Sequence, residues 1–279
     1  MNIDAWAVDW LNGQAASHSV LRTMTTWTSK NMAIVLLVTL VAGGLVALAA
    51  DIRKHRGMRW QIAEAAAISC LALLIGLAVN QVIGSAWFRT RPSDALPGIQ
   101  LLVAASTDPS FPSDHAAASF AIALGICLAL PRLGLLLLGE AVLLCVSRVA
   151  VGLHYPGDIV AGVFVALASV AVAEAIVGLA RPFLLQSVRR FGPTRLQIRE
   201  SALPRLFSVG ALRIAAILAA TLGMPILIEG AADPIRFDRE WIELLALGTI
   251  VAALACMAVA LVKTTSPSRG HQMKTNSTP

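Results

Sequence analysis

Long apolar runs alternate with short polar segments along most of the chain. A helix needs about 20 mostly apolar residues to cross the hydrocarbon core of a bilayer. Seven runs reach or approach that length: 31–50, 61–86, 114–130, 133–147, 158–180, 206–229 and 242–262. The third and fourth runs are short, which suggests that their polar ends tuck into the protein. The pattern predicts an all-α fold, a polytopic membrane bundle of helices.

The first 30 residues have a different pattern. Five apolar positions recur at helical spacing, namely Ile3, Trp6, Ala7, Trp10 and Leu11. Asp4, Asp9 and Gln14 fall elsewhere on the helical wheel. Because the segment lacks a basic start and a continuous apolar run, it does not resemble a signal peptide. We expect an amphipathic helix lying in the membrane interface, with its tryptophans at headgroup level.

The composition excludes a soluble enzyme. Of the 279 residues, 57% are hydrophobic and only 14% are charged, whereas soluble domains carry about 25% charged residues. An apolar excess of this size cannot be hidden in one water-soluble core. The four cysteines lie inside apolar segments and lack metal-ligand spacing, so we interpret them as small hydrophobic residues.

The distribution of basic residues predicts the orientation of the bundle. If residue 30 is outside, 14 of the 22 Lys and Arg residues fall on one side, in 51–60, 131–132, 181–205 and the tail from 263. The other side holds 7 of them. The more positive side should be cytoplasmic. Topology and anionic lipid thus explain the net charge of +6, and we expect no nucleic-acid partner.

Three polar clusters fall on the outer side. The first covers 87–92 at the end of the second span, the second covers 110–115 at the start of the third, and the last covers 147–158 between the fourth and fifth. Taken singly, each resembles an ordinary helix end, where Ser or Asp commonly serves as an N-cap. Because all three face one side, they can converge in one pocket, and together they favour a functional site.

The residue types in these clusters suit a phosphate group. Arginine presents planar, permanently charged donors to phosphate oxygens, and a helix that opens at Pro112-Ser113-Asp114 directs free N–H groups towards an anion. His115 and His154 can supply an acid and a nucleophile. Asp158, four residues after His154, can hold its tautomer. No set of carboxylates resembles a magnesium site, so the sequence favours a phosphatase without metal or other cofactor.

The clusters resemble the three signature motifs of the type 2 phosphatidic acid phosphatase superfamily. The third motif matches fully, as Ser147-Arg148, five residues, His154, three residues and Asp158. The second reads Pro112-Ser113-Asp114-His115, with Asp where the superfamily commonly has Gly. That form is similar to the bacitracin-resistance type of undecaprenyl pyrophosphate phosphatase.

The first motif is only partial. Arg91-Pro92 is present, but the usual Lys seven positions before Arg91 is Gly84. Asn80, eleven positions before Arg91, resembles the bacitracin-resistance branch, so the missing Lys fits a branch feature. Arg89 is a candidate to take over the lost charge.

The resemblance implies a six-helix-type core, with one helix amphipathic and the active site at the outer membrane surface. It implies that His154 is the nucleophile that forms a phosphohistidine, that His115 protonates the leaving group and that Asp158 orients His154. It also implies a set of residues that bind the phosphoryl oxygens: Arg91, Ser113, Asp114 and Arg148.

The resemblance covers roughly residues 1–182, which we interpret as a membrane phosphatase domain. Beyond it we predict a basic cytoplasmic connector at 183–205, two additional spans within 206–262 and a disordered tail at 263–279.

Three charged residues fall inside predicted spans at similar depth: Glu140, Glu174 and Arg213. An unpaired charge within a membrane costs about 2.5–3.5 kcal/mol on insertion scales. We predict that Arg213 pairs with Glu140 or Glu174 and so fixes the added helices to the core. The competing possibility is that its long stem lets Arg213 reach the cytoplasmic headgroups.

Several functions remain open at this level. The first is hydrolysis of undecaprenyl pyrophosphate to undecaprenyl phosphate in the plasma membrane, with a lipid phosphate and membrane lipids as partners. A phosphatidate or phosphatidylglycerophosphate phosphatase, or a lipid phosphotransferase, would use the same residues. A transporter or lipid-binding protein would instead use the charges within the spans, but no inverted repeat or interrupted helix favours it. The oligomeric state is not predicted.

Overall fold

The computed structural model describes residues 3–54 and 59–191, and these ranges contain seven helices and no strand. In chain order the helices are α1 (Ile3–Ser17), α2 (Ser19–Lys54), α3 (Arg59–Ala86), α4 (Pro92–Ala95), α5 (Asp114–Cys127), α6 (Pro131–Ala150) and α7 (Pro156–Phe191). Within these two ranges, four helical segments are long and apolar enough to cross a membrane: Ser19–Ile52, Gln61–Ala86, Pro131–Ala150 and Pro156–Ala180. The prediction of an all-α, polytopic membrane bundle is confirmed.

Helix α5 lies at the centre of the bundle and packs against α3, α6 and α7. Its 14 residues span about 21 Å at 1.5 Å per residue, which is less than the roughly 30 Å of a hydrocarbon core. Small residues allow its close packing. A Cβ at Gly162 of α7 would lie 2.6 Å from the carbonyl oxygen of Ser113 and 2.8 Å from the Cβ of Ala116. The start of α5 is thereby held tightly against the start of α7.

Helix α2 packs on α6 along one side of the bundle. Its other side exposes a row of large apolar side chains that includes Ile34, Leu37, Val38, Val41 and Leu45. Such a surface is typical of a helix that faces lipid, because a soluble protein rarely exposes so large a contiguous apolar patch.

The helix bounds differ from the apolar runs at several ends. Helix α5 stops at Cys127, three residues before the predicted end of its span, and α6 begins and ends beyond 133–147. Helix α7 continues to Phe191, into the segment that we predicted as a connector. The predicted spans 206–229 and 242–262, most of the connector and the tail 263–279 lie outside the described residues.

The N-terminal segment is not one interfacial helix. Only α1 stands apart from the bundle-spanning helices, because α2 already begins at Ser19. Trp6 and Trp10 of α1 are exposed and stack with ring centroids 6.5 Å apart, and their place at headgroup level stays a prediction. Asp4 and Asn12, by contrast, are buried on the opposite face. Burial of these polar side chains is tolerated because charged side chains and main-chain groups at this face form ion pairs and hydrogen bonds with them.

The predicted polar clusters lie at one end of the bundle. The end of α3, the start of α5, the end of α6 and the start of α7 meet there because successive helices alternate in direction. Helix α1 crosses this end, with contacts to α6 and α7. We call it the polar end.

Candidate active site

His154 lies at the polar end, in the short connection between α6 and α7, and only 3% of its surface is exposed. Its ring nitrogen Nδ1 is 2.8 Å from the main-chain carbonyl oxygen of Ser110. A carbonyl oxygen can only accept, so Nδ1 carries the proton and Nε2 keeps its lone pair. The imidazole is therefore held in the tautomer that a nucleophile requires.

Asp158 lies in the first turn of α7 and is fully buried. Its Oδ2 accepts hydrogen bonds from the main-chain N–H of Tyr155 at 2.8 Å and from the Ser110 hydroxyl at 2.5 Å. The first of these is half of a capping box, in which a side chain in the first turn returns to the N-cap N–H. The sequence Tyr155-Pro156-Gly157-Asp158 thus fixes the carboxylate where the helix begins.

Asp158 also lies beside the imidazole, with Oδ2 at 3.7 Å from Nδ1 of His154. This distance is too long for a hydrogen bond, so the carboxylate acts on the ring as a nearby charge. Ser110 links the two residues, because its carbonyl accepts from His154 while its hydroxyl donates to Asp158. Sequence reasoning gave Ser110 no role, although it lies within the cluster 110–115.

Arg89 is buried between two carboxylates. Its NH1 donates to Oδ1 of Asp158 at 2.6 Å and its NH2 donates to Oδ2 of Asp4 at 2.9 Å, while its guanidinium lies 3.8 Å above the centre of the Tyr155 ring. Burial lowers the pKa of Arg89, but the two carboxylates outweigh burial and raise it above its usual value. Arg89 is engaged with these partners and does not take the place of the missing lysine.

The position of that missing lysine is filled by a close contact. A Cβ at Gly84 would lie 3.0 Å from Cγ of Pro109 and 3.6 Å from the carbonyl oxygen of Phe111. The loop that precedes α5 therefore rests on α3 where the lysine stem would begin. Asn80, one turn earlier, donates to Oδ1 of Asp114 at 2.8 Å and is buried.

Arg91 ties together the loops around His154. Its NH1 donates to the carbonyl of Leu153 at 2.9 Å, its Nε to the carbonyl of Asp108 at 3.1 Å, and its NH2 to the hydroxyl of Ser106 at 3.4 Å. Burial lowers the pKa of Arg91, and the neighbouring aspartates oppose that shift. The guanidinium thus sits next to the residue that precedes His154.

Arg148 lies at the end of α6 and keeps a donor unused. Its NH1 donates to the hydroxyl of Ser29 at 3.3 Å, whereas its buried Nε has no hydrogen-bond partner among the described residues. Arg148 lies within electrostatic reach of Arg91, His115 and His154. Two cations held within electrostatic reach of each other favour an anion between them.

The start of α5 completes the arrangement. Ser113 is its N-cap, and its hydroxyl accepts from the N–H of Ala116 at 3.5 Å. The main-chain N–H of Ser113 donates to the carbonyl of Asp158 at 3.0 Å. Asp114 is held by Asn80, and His115 lies within electrostatic reach of His154. The structure thus brings all seven predicted site residues to the polar end and adds Asp4, Arg89 and Ser110.

The surroundings of His154 keep its ring neutral. Burial lowers its pKa, Arg91 and Arg148 lower it further, and Asp158 works in the opposite direction. The ordinary histidine pKa is about 6.5, so near pH 7 the imidazole carries no charge. Within the described ranges, no group of three or more His, Cys, Asp or Glu side chains is placed to hold a metal ion.

Glu140, inside α6, bonds away from this site. Oε1 of Glu140 accepts from the hydroxyl of Thr39 at 2.8 Å, and its Oε2 is buried with no hydrogen-bond partner in the described part of the chain. Arg213 lies outside the described residues, so its pairing with Glu140 or Glu174 stays a prediction.

The comparisons with known proteins agree with this geometry. Residues 65–182 match the PAP2 superfamily. The chain is 32% identical over 99 residues to the bacitracin transport permease protein BcrC of Bacillus licheniformis, covering 36% of this chain and 49% of that protein. It is also 32% identical over 116 residues to the undecaprenyl-diphosphatase BcrC of Bacillus subtilis (strain 168), covering 42% of this chain and 60% of that protein. No solved structure matches the chain.

These matches cover part of each protein, since the chain spans about half to three fifths of the length of the relatives that it matches. The matched family segment includes the ends of α3, α5, α6 and α7 that build the polar end, but neither α1 nor α2. The motif resemblance is confirmed: residues 65–182 match the PAP2 superfamily, and the chain is similar to two bacitracin-resistance proteins.

Proposed function

We propose that this protein is an integral-membrane lipid phosphatase that hydrolyses undecaprenyl pyrophosphate to undecaprenyl phosphate through a phosphohistidine intermediate. The observation that carries the proposal is the hydrogen bond from Nδ1 of His154 to the carbonyl of Ser110. It leaves the lone pair of Nε2 free beside the cations Arg91 and Arg148. A neutral nucleophile next to a cationic pocket suits attack on a phosphoryl group.

In the first half of the proposed reaction, Nε2 of His154 attacks the terminal phosphorus and the bond to the bridging oxygen breaks. Burial, Arg148, His154 and Arg91 lower the pKa of His115 to about 3 in the protein without substrate. The bound pyrophosphate anion raises that pKa, so His115 takes up a proton with the substrate and gives it to the departing oxygen, and undecaprenyl phosphate leaves as a weaker base. Arg91 and Arg148 neutralise the charge that spreads over the phosphoryl oxygens in the transition state. The hydroxyl of Ser113 and the N–H of Asp114, at the start of α5, are the remaining donors.

In the second half, water attacks the phosphohistidine and the bond between phosphorus and Nε2 breaks. His115, now neutral, takes a proton from the water, and inorganic phosphate leaves. His154 returns to its neutral form with the proton on Nδ1, which the carbonyl of Ser110 holds throughout. Each histidine is thus restored and no cofactor is consumed.

The names of the two relatives point to different activities, transport for one and diphosphate hydrolysis for the other. The site favours hydrolysis, because it unites a poised nucleophile with anion donors. Substrate channels in transporters instead use interrupted helices around a site at the middle of the membrane. Here α3, α6 and α7 are continuous, and the polar residues gather at one end.

The substrate is proposed to enter from the outer side of the plasma membrane. The support is the charge count, since 14 of the 22 Lys and Arg residues fall on the side that the sequence predicts to be cytoplasmic. To test this, single cysteines are placed in the loop 93–110 and in 183–205 of a cysteine-free variant. In intact cells an impermeant thiol reagent should label only the first, and the reverse pattern would put the site in the cytoplasm.

The activity is tested by phosphate release from purified protein in EDTA, with undecaprenyl pyrophosphate, phosphatidate and phosphatidylglycerophosphate as substrates. We expect the highest kcat/KM for undecaprenyl pyrophosphate and none for any substrate with His154→Ala. A higher kcat/KM for phosphatidate or phosphatidylglycerophosphate would reject undecaprenyl pyrophosphate as the substrate but would still support a lipid phosphatase. No release from any substrate would reject the proposed function.

A further inference from the structure

Asp4 reaches the polar end from α1, outside the segment that matches the family. It is only 5% exposed, and both of its carboxylate oxygens are occupied. Oδ2 accepts from NH2 of Arg89 at 2.9 Å, and Oδ1 accepts from the main-chain N–H of Gly157 at 2.9 Å. The carboxylate thus joins an arginine of the site to the first turn of α7.

Gly157 is the residue that admits this contact. A Cβ there would lie 2.9 Å from Oδ2 and 3.3 Å from Oδ1 of Asp4. The first N–H groups of a helix have no partner within the helix and carry partial positive charge. Asp4 satisfies one of them from a distant part of the chain, and it does so one residue before Asp158.

The charges of this cluster do not cancel. Arg89 is the single cation between Asp4 and Asp158, and all three side chains are at most 9% exposed. Burial raises the pKa of Asp4, and its contacts with Arg89 and the N–H of Gly157 oppose that shift. When both aspartates are ionised, the cluster carries one net negative charge, and Oδ2 of Asp158 lies 3.7 Å from Nδ1 of His154. Without Asp4, Arg89 and Asp158 would form a neutral pair, which would have little effect on a neighbouring charge.

That net charge matters when a phosphohistidine forms. As Nε2 bonds to phosphorus while Nδ1 keeps its proton, the imidazole becomes a cation. Two arginines, Arg91 and Arg148, face the same ring and oppose this cation. A compensating negative charge must therefore come from the side of Asp158, where the interior has a low dielectric and charges interact strongly.

We propose that Asp4 is a positioning residue for the proposed phosphoryl transfer: it shares Arg89 with Asp158 and so leaves a net negative charge beside His154 that stabilises the imidazolium. The inference rests on the proposed function. It makes α1, which lies outside the three motifs, an essential part of the site.

The test compares Asp4→Asn with Asp9→Asn, an exposed aspartate of the same helix. In Asp4→Asn, kcat for the lipid substrate should fall about ten- to a hundredfold, the range seen for outer partners of metal-bound histidines. KM should stay close to native, because Asp4 does not touch the phosphate pocket. Asp9→Asn should behave like the native protein.

The pH profile separates this role from a purely structural one. The groups that act on His154 are Asp158, Arg91, Arg148 and His115, together with Asp4 through Arg89. Removing one negative charge lowers the pKa of His154, so the acid limb of the rate should move to lower pH in Asp4→Asn. Damage to the fold alone would lower the rate at every pH and leave the limb in place.

The inference requires both the fall in kcat and the shift of the acid limb in Asp4→Asn. If only one of the two is observed, the inference is overturned. If Asp4→Asn does not give a monodisperse protein in detergent, Asp4→Ser is measured instead, since its hydroxyl can accept from Gly157 without charge. Failure of both variants to fold would reduce Asp4 to a structural role and overturn the inference as well. An inactive native protein would instead reject the proposed function, and the inference with it.

Discussion

The imidazole of His154 and the main-chain carbonyl of Ser110 are joined by a 2.8 Å hydrogen bond between residues 44 positions apart. Because the acceptor is a carbonyl, the bond selects the tautomer that leaves Nε2 free. The hydroxyl of the same serine donates to Asp158 at 2.5 Å. One residue of the loop before α5 therefore orients both the proposed nucleophile and its neighbouring carboxylate.

Nucleophilic catalysis predicts a trapped intermediate. His154→Ala should abolish turnover, because it removes the atom that would bond to phosphorus. Rapid acid-free quenching of the native protein with labelled substrate should trap an acid-labile phosphoenzyme, and orthovanadate should inhibit as a mimic of the five-coordinate transition state. The exposed His18 supplies the control, His18→Ala. Turnover by His154→Ala comparable to this control would reject the mechanism.

Ser110→Ala tests the link between His154 and Asp158. The substitution keeps the main-chain carbonyl but removes the hydroxyl that donates to the buried carboxylate. Loss of a hydrogen bond to a charged group costs about 1.5–3 kcal/mol, so both the melting temperature and kcat should fall. The matched control is Ser85→Ala, whose exposed hydroxyl bonds only within its own helix. Equal behaviour of the two variants would contradict the assigned role of Ser110.

The lowered pKa of His154 predicts the acid side of the pH profile. The neutral ring is the active form. For an activated aryl phosphate, whose departing oxygen needs no proton from His115, the rate should therefore stay constant as pH falls through 6.5, the ordinary histidine value, and decline only below it. The rate of phosphate release is measured from pH 4 to pH 9. If the rate of phosphate release falls at a midpoint above the ordinary histidine pKa, burial does not set the pKa of His154.

The proposed acid, His115, predicts a dependence on the leaving group. His115→Ala should lower kcat far more for a lipid phosphate than for an activated aryl phosphate. The departing oxygen of the lipid phosphate needs a proton, whereas that of the aryl phosphate does not. The comparison uses kcat for both substrates in the native protein and the variant. An equal loss for the two would argue against His115 as the acid.

Asn12 predicts how much α1 contributes to the stability of the polar end. Its amide donates to the carbonyls of Gln100 and Ala150 at 2.8 and 2.9 Å and accepts from the N–H of Gln100 at 2.8 Å. Asn12→Ala leaves these groups without their partner, and each such buried group costs about 1–3 kcal/mol. Thermal unfolding in detergent should therefore begin at lower temperature than in Gln14→Ala, an exposed control on the same helix. Similar curves would mean that water replaces the amide.

The sequence alone determined the class of fold and the place of the site. Runs such as 61–86 and 158–180 identify spanning helices because length and hydrophobicity are local properties of the chain. The spacing from Arg148 through His154 to Asp158 predicts the proposed chemistry, since the turn between α6 and α7 holds these residues close together whatever surrounds them. Boundaries were less certain, because a helix can extend beyond its apolar stretch, as α7 does.

Only the tertiary structure decided which partner each polar side chain has. The hydrogen bond from Arg89 to Asp4 joins residues 85 positions apart, and that from Gly157 to Asp4 joins residues 153 apart. On a helical wheel Asp4 belongs to the face away from the apolar stripe, yet it is buried, because a buried guanidinium and a helix N-terminus offset the cost of removing it from water. The order of polar and apolar residues along one helix cannot reveal such a partner. The partner belongs to another part of the chain, and its position depends on how the bundle packs.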